Sequence, residues 1–140
     1  MHLFSYFGLG CRNISKIYLP SGYDLAKLFI RWESLSDVIN HSKYGNNYDF
    51  NKAIYLVNRE PFLDTGFLLL REDHHLHSPV AVLHYQFYNS PGEVAQELVS
   101  QSEKIQCVVG KGNIAFGNAQ SPKLWDYADG IDTLEFLQKK

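Results

Sequence analysis

Between Ile14 and Leu98 the sequence switches repeatedly between short runs of strand-forming residues and segments whose apolar residues recur every three or four positions. That alternation constrains the chain to a layered α/β arrangement more than to an all-α or all-β one. The run Ile14 to Leu19, stopped by Pro20, predicts a strand with Ile17 and Leu19 on one face. Asp24 is placed to cap a helix in which Leu25, Leu28, Phe29 and Trp32 form one buried stripe. Leu35, Val38 and Ile39 predict a shorter helical turn, and Phe50, Ala53, Ile54 and Val57 repeat the stripe behind an N-cap at Asp49. Phe67 to Leu70 and Val80 to Phe87 predict two strands joined by a charged, histidine-rich connection. Ser90-Pro91-Gly92-Glu93 is a capping box with proline at the first helical position, followed by Val94 and Leu98 on the apolar face. Ile105 to Val109 predicts a buried strand, Ile114 to Phe116 a short one after Gly110-Lys111-Gly112, and Asp132 with Glu135 the start of a final helix ending near Lys139 and Lys140. The order of strands within a sheet is not readable from this pattern.

With 140 residues, 45% of them hydrophobic, the chain can bury one substantial core, and no repeat or linker divides it, so residues 1–140 are expected to form a single domain. Thirteen basic residues against 15 acidic ones give a net charge of -2, which supplies no electrostatic drive toward nucleic acid or an anionic membrane. Cys11 and Cys107 are too few for a disulfide framework, which fits a reducing compartment. Met1 to Phe7 lacks the form of a signal peptide, and no stretch reaches the ~20 apolar residues of a membrane span. A cytoplasmic protein without a membrane span is the expectation.

Cys11 is the one residue whose setting suggests covalent chemistry. In Gly8-Leu9-Gly10-Cys11-Arg12-Asn13 the glycines allow close approach of a substrate carbonyl, Arg12 can favour the thiolate, and backbone N–H groups of the turn can hold an oxyanion. Read without further information, the same cysteine also serves as a small apolar residue in a turn. Cys107, inside Ile105-Gln106-Cys107-Val108-Val109, reads as a core residue. Asp73, His74, His75 and His77 have poor spacing for a metal and read as a solvated connection. Gly8-Leu9-Gly10 fails the dinucleotide fingerprint, because Asn13 stands at the third glycine and a strand follows where a helix should begin. Gly110-Lys111-Gly112 lacks the spacing of a phosphate loop. Turn formation and capping explain Asn46-Asn47-Tyr48-Asp49, and Trp125, Asp126, Tyr127 and Asp129 either line a pocket or anchor a C-terminal loop.

Taken in order, Gly8-Leu9-Gly10-Cys11-Arg12-Asn13-Ile14-Ser15-Lys16, Asn46-Asn47-Tyr48-Asp49, Ser78-Pro79-Val80 and residues 120–130 (Gln-Ser-Pro-Lys-Leu-Trp-Asp-Tyr-Ala-Asp-Gly) resemble the C-terminal portion of LuxC-type acyl-CoA reductases, of the aldehyde dehydrogenase superfamily. The resemblance implies an aldehyde-dehydrogenase-like catalytic domain, a three-layer α/β/α sandwich around a largely parallel sheet. It implies Cys11 as the nucleophile, with Gly10, Arg12 and Asn13 shaping the site. In that superfamily the dinucleotide-binding domain precedes the cysteine, and only ten residues do so in this sequence. The expectation is therefore a thiol-bearing part that works with a nucleotide-binding half of the same enzyme. Where the wider superfamily has a ribose-binding glutamate, three residues before Ser78, this sequence has His75, and no cofactor contact is carried over.

The implied reaction is conversion of a fatty acyl-CoA to an aldehyde. The Cys11 thiolate forms an acyl-enzyme thioester, and NADPH, bound mainly by the other half, supplies hydride. A metal has no place in it, and the reading leaves room for a homo-oligomer. The rival from another class is a non-catalytic fragment or interaction module that docks on a partner.

Overall fold

The computed structural model describes residues 4–10, 12–127 and 131–138. Strand β1 (Lys16–Pro20) is followed by α1 (Ala26–Trp32), a 3₁₀ segment (Glu33–Asn40) and the long helix α2 (Ser42–Asn58). Then come β2 (Leu63–Asp64), β3 (Leu69–Glu72), β4 (Val82–Tyr88), α3 (Pro91–Ser100) and α4 (Thr133–Gln138). The strands form one open sheet in the order β1-β4-β3-β2. β4 lies parallel to β1, with Lys16 opposite His84, and parallel to β3, with Leu69 opposite Val82, while β2 is antiparallel to β3. The fold is thus mixed α/β, and among the described residues no helix is long and apolar enough to cross a membrane.

Successive strand residues point to opposite faces of a sheet, and here each face has its own apolar cluster. Leu70, Leu83 and Leu19 belong to one, which Leu25, Leu28, Phe29 and Trp32 cover from the α1 side, as their spacing predicts. Leu69 and Val82, one residue out of phase, join Tyr44, Tyr48 and Tyr55 of α2 in the other. Glu97 of α3 accepts a hydrogen bond from Tyr18 (3.0 Å) and pairs with Lys16 (3.2 Å), which ties that helix to β1. Burial opposes ionisation of Glu97, but the hydrogen bonds from Tyr18 and Lys16 outweigh it and hold its carboxyl below the usual range.

The helix expected to start at Asp49 instead begins at Ser42, and its buried face is a different one. Tyr44, Tyr48, Asn51 and Tyr55 are buried, whereas Phe50 is 63% and Val57 81% exposed. Hydrogen bonding explains the reversal. The Tyr44 hydroxyl donates to the Phe67 carbonyl (2.8 Å), the Tyr48 hydroxyl to Asp64 (2.5 Å), and the Asn51 amide to the Val80 carbonyl (3.0 Å). Rings and amides buried with their polar ends satisfied pack as well as aliphatic groups. Asn46, Asn47 and Asp49 therefore lie within a helix and not in a turn.

The strands expected at 105–109 and 114–116 do not form. The Ile114 N–H donates to the Val108 carbonyl (3.1 Å) and the Gly110 N–H to the Ile114 carbonyl (3.0 Å), so this backbone pairs with itself and not with the sheet edge. Cys107 is accordingly half-buried and not a core residue. Of the two capping positions Asp132 holds, whereas the Ser90 hydroxyl donates to the Glu93 carboxylate (3.3 Å) and caps no backbone N–H. Glu93 accepts from the Asn89 N–H (3.1 Å), one residue before the expected partner, and Asp132 accepts from the N–H groups of Leu134 and Glu135 (both 3.0 Å). Lys139 and Lys140 lie outside the described residues.

Candidate active site

Cys11 lies outside the described residues, and its neighbours define the site. Phe7 (φ 56°) and Gly8 (φ 74°) are both left-handed, a backbone that costs a phenylalanine about 1–2 kcal/mol and a glycine almost nothing. Phe7 recovers part of that by stacking on His41, ring centres 3.6 Å apart. The Asn13 N–H then donates to the Gly10 carbonyl (2.9 Å). That bond uses the Asn13 amide hydrogen.

Arg12, only 9% exposed, does not simply extend toward solvent beside the cysteine. Its guanidinium donates to the Ala119 carbonyl (3.3 Å) and lies 3.9 Å from the Asp126 carboxylate, while the Gln120 side-chain amide donates back to the Arg12 carbonyl (3.2 Å). A buried guanidinium needs such partners, and here they come from a segment more than a hundred residues away. Of the aromatic and acidic loop that the sequence allowed either to line a pocket or to anchor on the core, Trp125, Asp126 and Tyr127 line a cleft, Trp125 is 67% exposed and not an anchor, and Asp129 lies outside the described residues. Arg12, Asp126, Trp125 and Tyr127 border an open cleft of about 690 Å³, whose other wall is made by residues 102–107. Tyr127 is half-buried, and a hydrogen bond to Asp132 raises the pKa of its hydroxyl.

The histidine-rich connection between β3 and β4 closes the third side. Ser15, just after the Cys-Arg-Asn element, donates to the Leu76 carbonyl (2.7 Å), and Lys16 donates to the His74 carbonyl (2.8 Å). His74, His75 and His77 are exposed, in keeping with a solvated connection, yet His77 borders the Arg12 cleft. Residue type alone carried no signal for that; the serine and lysine that aim the loop lie some sixty residues earlier. Burial works against ionisation of Asp73, but hydrogen bonds from the backbone and ring of His75, with the charges of His84 and His75, bring its carboxyl down to about 2. Burial likewise lowers the pKa of His84, whose Nδ1 lies 3.1 Å from the His75 carbonyl. Ser78, instead of facing the cleft, donates to the Val82 carbonyl (2.7 Å). Among the described residues no group of three His, Cys, Asp or Glu side chains converges as a metal site would require.

No family model, curated protein or solved structure matches this chain.

Proposed function

We propose that this chain is the thiol-bearing part of an acyl-CoA reductase of the LuxC type, in which Cys11 accepts the acyl group of a fatty acyl-CoA. The observation that carries the reading is the convergence at Arg12. Residues 8–16 and 120–130 together carry most of the resemblance, and Gln120 and Asp126 of the second stretch bond to Arg12 of the first. The two stretches thus border one open cleft with the nucleophile's immediate neighbour at its edge. At the level of fold, apolar clusters on opposite faces of the sheet support a three-layer α/β/α sandwich of the aldehyde dehydrogenase kind.

In this reading the Cys11 thiolate attacks the thioester carbonyl, a bond from its sulfur to the acyl carbon forms, and the bond to the CoA sulfur breaks. Arg12, held by Ala119 and Asp126, brings a positive charge to the rim of the cleft, and positive charge near a thiol favours the thiolate. A backbone N–H of the turn holding the oxyanion would contribute about 3 kcal/mol to each such step.

The described residues do not fit a dinucleotide. Gly8-Leu9-Gly10 leads into a strand, and the His75 ring, at the position of the superfamily's ribose carboxylate, is bonded to Asp73 (2.6 Å). NADPH, which supplies the hydride, is assigned to a nucleotide-binding half of the enzyme, and this chain to acyl transfer.

The test is incubation with a long-chain acyl-CoA followed by intact mass measurement. A hydroxylamine-sensitive acyl adduct present in the native protein and absent from Cys11→Ser is the expected result; a native protein that stays unmodified sinks the proposal. A second reading, a non-catalytic module that docks on a partner, is favoured by the exposure of Phe116 (84%), Leu124 (94%), Trp125 and Phe136. Stable docking on a nucleotide-binding partner without any acyl adduct would select it.

A further inference from the structure

We propose that the outward face of α2 is the interface of a two-fold, antiparallel dimer of this chain, centred on Ala53 and Ile54. The proposal does not depend on the acyl-transfer reading, since no residue of that face borders the Arg12 cleft.

Phe50, Ala53, Ile54 and Val57 recur at i, i+3, i+4 and i+7, the spacing by which a helix builds one apolar stripe, and Leu56 lies beside it. The fold leaves this stripe uncovered: Phe50 is 63%, Leu56 60%, Val57 81% and Ile54 37% exposed. Tyr44, Tyr48, Asn51 and Tyr55, on the opposite side of the same helix, already fill its contact with the sheet. No rotation of α2 within the fold can therefore cover both faces. A helix apolar on two sides belongs between two layers, and the described residues supply one of them.

The pattern of charge selects the second layer. Between Phe50 and Asn58 the only charged residue is Lys52, which turns away from the stripe to Asp64 of β2 (2.7 Å). The stripe is bounded by Asp49 before it and by Arg59, the C-cap, after it. Both are exposed, and among the described residues neither side chain has an ionic partner. A surface with opposite unpaired charges at its two ends is complementary to itself when reversed. In the antiparallel pair Asp49 of one copy stands at the end where the other carries Arg59, Phe50 lies against Val57, and the small Ala53 side chain lets the helix axes approach. A parallel pair would instead set Asp49 against Asp49 and Arg59 against Arg59. The helix macrodipoles favour the same antiparallel choice.

Area sets the strength of the contact. The four large side chains expose on the order of 400 Å² of apolar surface, about half of the ~800 Å² that each partner gives to a standard interface. The stripe is about 10 Å long, which one helix of equal length covers. A reversible dimer in the micromolar range is the expectation, not an obligate assembly.

The test is sedimentation equilibrium of the full chain from about 1 to 300 µM, a range that brackets a micromolar association. The native chain should pass from monomer to dimer and stop there, because a two-fold contact is closed. Phe50→Glu should weaken association at least about 10-fold, whereas Leu124→Glu, at a position 94% exposed in the 120–127 loop, should leave it unchanged. Asp49→Arg and Arg59→Asp should each weaken it about 2–10-fold, since the two-fold axis opposes like charges twice, and the two combined should restore the native constant. Restoration by the double variant also separates lost pairing from lost folding. A native chain that stays monomeric overturns the proposal and leaves the face to a different protein. Association that Phe50→Glu leaves intact, or that grows past the dimer, overturns it as well. So does a charge-swapped double variant no better than its singles, because the antiparallel arrangement requires the recovery.

Discussion

Replacing Arg12 with methionine keeps the apolar stem and deletes the guanidinium, and the structure sets how much stability should be lost. The guanidinium has two partners of unequal worth. Its hydrogen bond to the Ala119 carbonyl (3.3 Å) is charge-assisted and buried, a class worth about 1.5–3 kcal/mol. Its pairing with Asp126 is at 3.9 Å, where Coulomb's law gives roughly 4 kcal/mol at an effective dielectric of 20 and roughly 1 in bulk water. Asp126 is 35% exposed, which puts the pair near the watery end, where measured surface pairs give about 0.2–1 kcal/mol. The carbonyl bond should therefore dominate. Arg12→Met is expected to cost about 2–3 kcal/mol in urea unfolding, Asp126→Asn less than about 1, and the double-mutant cycle to show a coupling of at most about 1 kcal/mol. Hydrogen exchange adds a local readout: amides between 119 and 127 should lose protection in Arg12→Met and keep it in Asp126→Asn. A coupling of 2 kcal/mol or more, or an Arg12→Met protein as stable as the native one, would refute this ranking of the two contacts.

Gly45→Ala reverses the usual helix rule. Alanine normally stabilises a helix interior by about 0.5–1 kcal/mol, but a methyl group here would sit 2.7 Å from the Ile39 carbonyl oxygen, so a loss of about 1–3 kcal/mol is expected in chemical denaturation. Leu83→Ala removes a side chain with no exposure from the middle of the sheet and should cost about 2–5 kcal/mol; a loss under 1 would mean the cluster around it collapses freely. Acid should weaken the fold through Asp73. Its folded pKa of about 2 lies below the unfolded value near 4, so its contribution is complete above pH 4 and is lost between about pH 4 and 2. Its size, discounted for solvent screening, is on the order of 1 kcal/mol, and Asp73→Asn should show a correspondingly flatter stability–pH curve over that interval.

The elements read most directly from the sequence are those whose burial is aliphatic. The α1 stripe, β1, β3 and β4 follow from hydrophobic spacing because Leu and Ile have no other use for their surface. The face of α2 was not legible because its core positions are Tyr and Asn, whose suitability depends on Phe67, Asp64 and Val80 being present to accept hydrogen bonds. The 105–116 region misled in the opposite way: its residues favour strands, but a strand needs a free edge beside it, and Val108, Gly110 and Ile114 are satisfied by one another. At the candidate site, the Cys-Arg-Asn element and the 120–127 loop stood out as segments. Their meeting did not, since a guanidinium bonded to a main-chain carbonyl leaves no trace in the identity of residue 119. His77 was correctly read as solvent-exposed, but where it faces is decided by Ser15 and Lys16.

The bonds joining Arg12 to Ala119 and Gln120 link residues 107 and 108 positions apart. Bringing such distant points together costs about 4 kcal/mol in loop-closure entropy for an otherwise flexible chain, and far less once the intervening sheet has formed. One rim of the cleft is consequently assembled after the β1–β4 ladder, once residues 119–126 can reach Arg12. The cleft is thus a late feature of folding: until the ladder has formed, nothing holds Arg12 against the segment that borders it.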